Sequence, residues 1–112
     1  MFTAIGRVDG YESFATIKEI SAGRYKLTGY IRGQEAYATL YRVRDGSYNI
    51  TGHIAGFDSY GTATRVNPQE WRVQGNIGGH NMVATVAAIY PGQWTFHEKT
   101  AQHEAEATIT DR

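Results

Sequence analysis

"YKLTGYIRGQEAYATLYRVRDGS", residues 25–47, is followed at once by "YNITGHIAGFDSYGTATRVNPQE", residues 48–70, and the two stretches share a plan. With a 23-residue step the first column reads Phe2, Tyr25, Tyr48, Trp71 and Trp94, all aromatic. Four residues on stand Gly6, Gly29, Gly52 and Gly75, until Glu98 breaks the column. Eight residues on stand Gly10, Gly33, Gly56 and Gly79, broken by Gln102, and fourteen on the column is Thr16, Thr39, Thr62, Thr85 and Thr108. Agreement at this many positions marks an internal repeat, and a repeat decides architecture before any local reading does. Five units follow, 2–24, 25–47, 48–70, 71–93 and 94–112, the last truncated and the most divergent.

Each unit reads as a β-hairpin. Tyr25, Leu27, Gly29 and Ile31 alternate with Lys26, Thr28, Tyr30 and Arg32, the two-residue period of a strand with one buried face. A second run places Tyr37, Thr39, Tyr41 and Val43 on the apolar parity. "SAGR", "RDGS", "NPQE" and "YPGQ" supply turn chemistry between units, and "GYES", "GQEA", "GFDS" and "GHNM" reverse the chain within them. This predicts an all-β fold of about ten antiparallel up-and-down strands in a single domain, 1–112. The expected register sets Ile31 against Thr39 within a unit and Thr39 against Gly52 between units, with Glu19 facing Lys26 and Arg65 facing Arg72. Closure into a barrel hides the apolar face and removes the sheet edges, with the glycine column as the kinks of a strongly coiled sheet. The alternative is an open single-layer sheet that covers its face by forming a homodimer.

Eleven Lys and Arg balance eleven Asp and Glu, so global charge gives no argument for nucleic acid or an anionic membrane. The absence of cysteine excludes disulfides and thiolate metal sites. "MFTAIGRVDG" carries no basic region followed by an apolar stretch, and no run approaches the roughly 20 apolar residues of a helical span, so the expectation is a soluble, cytoplasmic protein without membrane contact.

The units are similar to MORN repeats in one respect, being hairpins of about this length that begin with an aromatic residue, as "YNITGHIAGFDSYGTATRVNPQE" does. That family's Gly-x-Gly and tryptophan positions are missing, so the likeness is one of hairpin construction and carries no functional residues.

Three groups of residues are candidates for chemistry. On the rim, Tyr11-Glu12, Gln34-Glu35, Phe57-Asp58, His80-Asn81 and His103-Glu104 set a ring or amide beside an acceptor at the expected turn tips, which suits a sugar or a basic surface. On the outer face, Lys26, Tyr30, Arg32, Arg42, His53, Arg65 and Arg72 make a locally basic patch suited to an acidic protein surface, while an ordinary solvated exterior is the simpler reading where nucleic acid is concerned. In the fifth unit, "WTFHEKTAQHEAEATITDR", Glu98 and Glu106 sit on the apolar parity, where a buried carboxylate would anchor a cationic ligand or, with imidazole, a metal. His97 and His103 have the opposite parity, and "HEKTAQHEAEA" reads equally well as a short helical or frayed end, so no metal site is assigned.

No phosphate loop or nucleophile elbow is present, which leaves a non-enzymatic binding protein without a cofactor. The first expectation is a small protein-interaction module of the inhibitor or assembly type, viral or bacterial. The second is a small-molecule or lectin-like carbohydrate-binding barrel with Tyr25, Tyr48, Trp71 and Trp94 lining its lumen.

Overall fold

A computed structural model describes residues 1–100 and 102–111; Ala101 and Arg112, both in the fifth unit, lie outside the described residues. The ten strands are β1 Phe2–Val8, β2 Tyr11–Ser21, β3 Arg24–Ile31, β4 Gln34–Arg44, β5 Ser47–Ile54, β6 Phe57–Asn67, β7 Glu70–Ile77, β8 His80–Tyr90, β9 Gln93–Lys99 and β10 Glu104–Asp111. Each pairs antiparallel with its neighbours in sequence, and β1 pairs with β10 from Phe2 opposite Asp111 to Val8 opposite Ala105. The sheet is therefore a closed barrel with no free edge, and the open-sheet alternative is excluded.

The turns within repeats place the wall. Asp9-Gly10, Arg32-Gly33, Ala55-Gly56 and Gly78-Gly79 all have positive φ at both residues, the two-residue type I′ hairpin whose twist matches that of the flanking strands. These turns lie just before the residues read as tips from sequence. Ile31 consequently faces Gln34, and Leu27 faces Ala38, where Ile31 had been expected to face Thr39. The difference is an odd number of residues, so the faces of every second strand are exchanged. Ala36, at 1 % exposure, and Ala38 point into the barrel, while Tyr37, at 51 %, points out. The threonine column runs along the outside, Thr16 paired with Thr3 and Thr28, and Thr39 with Thr51.

Between repeats the register also differs by one, because each junction carries an extra residue. Ile20, Val43, Val66 and Ile89 are the unpaired positions, and all four are exposed. The slip opposes Glu19 to Tyr25 and Lys18 to Lys26, so the expected Glu19–Lys26 pair is not formed across the strands. Arg65 faces Trp71 and Arg72 faces Thr64, which removes the expected arginine clash.

The glycine column marks where neighbouring strands draw together. A methyl group on Gly52 would run into the carbonyl oxygen of Tyr37 and the Cα of Ala38 on β4, both main-chain atoms. Gly29 meets the main chain of Phe14 and Ala15 on β2 in the same way. Small residues thus form a waist, with Leu27, Leu40, Ile50 and Val73 layered on one side of it and Ile31, Ile54 and Ile77 on the other.

Candidate functional site

The inward faces of the strands leave a cavity of about 390 Å³ along the lumen. Its walls are aliphatic and aromatic, with Leu27, Ile50, Val73, Met82 and Phe96 among them. Tyr25, Tyr48, Trp71 and Trp94 all line it, towards the end where repeats join. Tyr25 and Tyr48 meet edge on with ring centroids 6.0 Å apart, Tyr48 and Trp71 are 5.8 Å apart, and Phe2 and Trp94 are 6.2 Å apart. Burial, with the neighbouring Glu19 carboxylate second, raises the Tyr25 phenol above its ordinary pKa.

The other end of the lumen is polar. His80, Arg32 and Glu98 line the cavity there. Glu98 occupies the position that is glycine in the four preceding repeats, and it is 2 % exposed. His80 Nε2 lies 2.7 Å from Glu98 Oε2, and the His80 ring stacks on His103 with centroids 3.7 Å apart and planes 11° from parallel. His103 Nδ1 is 3.0 Å from Asp9 Oδ2, while Asp9 Oδ1 accepts the Glu104 N–H at 2.9 Å. Arg32 Nη1 stands 3.5 Å from Asp9 Oδ2. A chain of side chains thus runs from inside the lumen to the rim, from Glu98 through His80 and His103 to Asp9 and Arg32.

Charge along this chain is unevenly satisfied. Partial burial acts to raise the Asp9 pKa, but hydrogen bonds from His103 and the Glu104 N–H, with the charges of His103 and Arg32, outweigh it and hold the carboxyl below its ordinary value. The two rings lean on different carboxyl groups, His103 Nδ1 on Asp9 and His80 Nε2 on Glu98. Asp9 has Arg32 as a cationic partner, whereas among the described residues Glu98 has only the imidazole. His80 Nδ1 is buried and makes no hydrogen bond. Trp94 Nε1, at the aromatic end, is the other buried side-chain atom among the described residues without a partner, and both belong to residues that line the cavity.

The candidates read from sequence are redistributed by this geometry. In the first four repeats the paired rim residues begin the second strand of the hairpin, so they face opposite ways, while in the fifth His103 precedes β10. Tyr11, Phe57 and His80 have the lumen parity, and Glu12, Glu35, Asp58 and Asn81 point outward into solvent. Phe57 folds over the Gly79 turn of the next repeat, and His80 turns in towards Glu98. The outward patch is divided as well. Tyr30, His53 and Arg72 lie on the outer face, with His53 Nδ1 3.1 Å from Asp58 Oδ1. Arg42 and Arg65 stand opposite Tyr48 and Trp71, on the lumen parity at the mouth where repeats join, packed against the Gly23 and Gly46 turns. Of the two carboxylates given the apolar parity, Glu98 is buried and Glu106 is exposed, and His97 is exposed. Among the described residues no cluster of His, Asp and Glu has the arrangement of a metal site.

Sequence reasoning named Tyr30 but passed over the rest of a belt of exposed apolar side chains on the outer wall, Ile5, Phe14, Tyr37, Tyr60 and Val83. Phe14 and Tyr30 have ring centroids 5.7 Å apart, and Tyr37 stacks on His53 at 5.7 Å. Phe14, Tyr37, Tyr60 and Val83 recur at the 23-residue step, a signal available in the sequence once the second-strand register is known.

No family model matches the chain, and no curated protein matches it. Among solved structures, a redesigned β-barrel is similar at 12 % identity and a TM-score of 0.48, covering 99 % of this chain and 88 % of that one.

Proposed function

We propose that the protein is a non-enzymatic binder that holds one small, mostly apolar molecule in the barrel lumen. The observation that carries this reading is the cavity itself. At about 390 Å³ it falls at the small end of ligand pockets, and its apolar walls meet a few convergent polar groups at one end. The buried, unpartnered nitrogens of His80 and Trp94 both belong to its lining, and unsatisfied polar atoms are rare enough in folded proteins for each to require a reason. Trp71 and Trp94 provide the assay. Titration with octan-1-ol, a probe with an apolar body, is expected to shift tryptophan emission saturably with one site per chain. A linear response, or none with octan-1-ol or any other probe of the same chain length, would overturn the reading.

Docking to another protein has separate support in the large exposed rings of Phe14, Tyr30, Tyr37 and Tyr60 on the outer wall. A second copy of this chain is the occupant tested most directly. Sedimentation velocity would show a dimer that dissociates with Phe14→Ser and Tyr37→Ser if the belt is an interface, and a monomer at all concentrations if it is not.

A further inference from the structure

Resting on the lumen reading, we infer that the molecule bound there carries a protonated amine, seated against Glu98 and His80. The repeat makes the departure visible. At this height the other four repeats place Gly6, Gly29, Gly52 and Gly75, and the fifth alone brings in a long acidic side chain. Burying a carboxylate among aliphatic walls is costly unless a cation or several donors reach it. Glu98 is 2 % exposed, and among the described residues its one hydrogen bond comes from His80 Nε2 at 2.7 Å. Arg32, the nearest guanidinium lining the cavity, is engaged with Asp9.

The imidazole completes the argument. In the tautomer that directs the Nε2 proton at Glu98, Nδ1 is an acceptor, and it is buried with no partner. Glu98 and His80 Nδ1 thus offer acceptors here, one of them on a carboxyl group, while the Arg32 guanidinium at this end is turned to Asp9. An ammonium group, a compact cation with up to three donors, matches both, and a carboxylate or phosphate head would be repelled. The cavity beyond, towards Trp71 and Trp94, takes the apolar body of the molecule.

The test compares three probes of equal chain length, octylamine, octan-1-ol and octanoate, by tryptophan fluorescence at neutral pH and fixed ionic strength. Octylamine is expected to bind about tenfold or more tightly than octan-1-ol, with octanoate weakest, as suits a hydrogen bond to a charged group. In Glu98→Gln, which keeps shape and removes charge, the amine preference is expected to vanish while octan-1-ol still binds. Glu98→Gly, which gives the fifth repeat the residue of the other four, serves should the amide variant not fold. Equal affinities, a preference for octanoate, or an amine preference that survives both substitutions would overturn the inference and leave the lumen reading intact. Failure of all three probes would overturn both.

Discussion

Replacing Gly52 by alanine tests how tightly the wall is coiled. In an ordinary strand this exchange stabilises by about 0.5–1 kcal/mol, because alanine surrenders less backbone freedom on folding. Here the new methyl would lie 2.6 Å from Ala38 Cβ and nearer still to the Tyr37 carbonyl oxygen and Ala38 Cα. The last two are main-chain atoms of β4, so no change of rotamer relieves them, and β4 and β5 must part where Ala38 faces Gly52. Overpacking against main chain belongs at the upper end of the usual range, about 2–3 kcal/mol, leaving a net loss of about 1–2.5 kcal/mol. For a domain of this size that lowers Tm by about 4–20 °C. Urea and thermal unfolding followed by circular dichroism measure it, with an unchanged urea m-value showing that the unfolded reference is the same. Adding Ala38→Gly removes one of the three contacts and should restore only part of the loss. An unchanged or raised Tm for Gly52→Ala would refute the close approach of the two strands and the waist built on it.

Other outcomes follow from the same geometry. Ala63 is buried and lines the cavity, so Ala63→Leu should fill part of the lumen and weaken octan-1-ol binding severalfold without a large loss of stability, read by fluorescence titration and thermal unfolding. Asp9 has its folded pKa held below the ordinary 3.8, so its contribution to stability is fully present above that value and is lost as pH falls through the folded pKa. Asp9→Asn should accordingly flatten the acid limb of the stability profile below about pH 4 while changing little at pH 7 beyond the loss of a partly exposed pair, worth about 0.5–1 kcal/mol.

The architecture was legible because the repeat acts on the whole chain at once. Five aromatic residues at equal spacing and a strand period of two leave little freedom in strand number or order, and a face that must be hidden favours closure. Register was not legible, for a local reason. A type I′ turn announces itself through Asn-Gly, Asp-Gly or Gly-Gly, and Asp9-Gly10 and Gly78-Gly79 do so. Arg32 and Ala55 hold φ of 56° and 55° without being residues that favour it. Reading the turn a few residues late at "GQEA" then exchanged the faces of β2, β4, β6, β8 and β10, sending Tyr37 inward and Ala38 outward. The extra residue at each junction, Val43 in the second repeat, has no glycine of its own to mark it.

The polar end of the lumen was half visible. Glu98 stood out as the break in a glycine column, and its parity pointed to burial. Its partner was out of reach, because His80 belongs to the fourth repeat and comes to Glu98 only through the pairing of β8 with β9. Asp9 and His103, 94 residues apart, meet only because β1 and β10 close the barrel. Contacts made by closure have no local trace in the sequence.

Occupation of the lumen is the central claim, and the chain has a reporter for it. Met1 and Met82 are its two methionines; Met82 lines the cavity, and Met1 is exposed at the N-terminus. With both methyl groups labelled with ¹³C, addition of octan-1-ol should move the Met82 resonance saturably and leave that of Met1 in place. A Met82 resonance that stays still while tryptophan emission changes, or one that moves together with Met1 without saturating, would contradict the account.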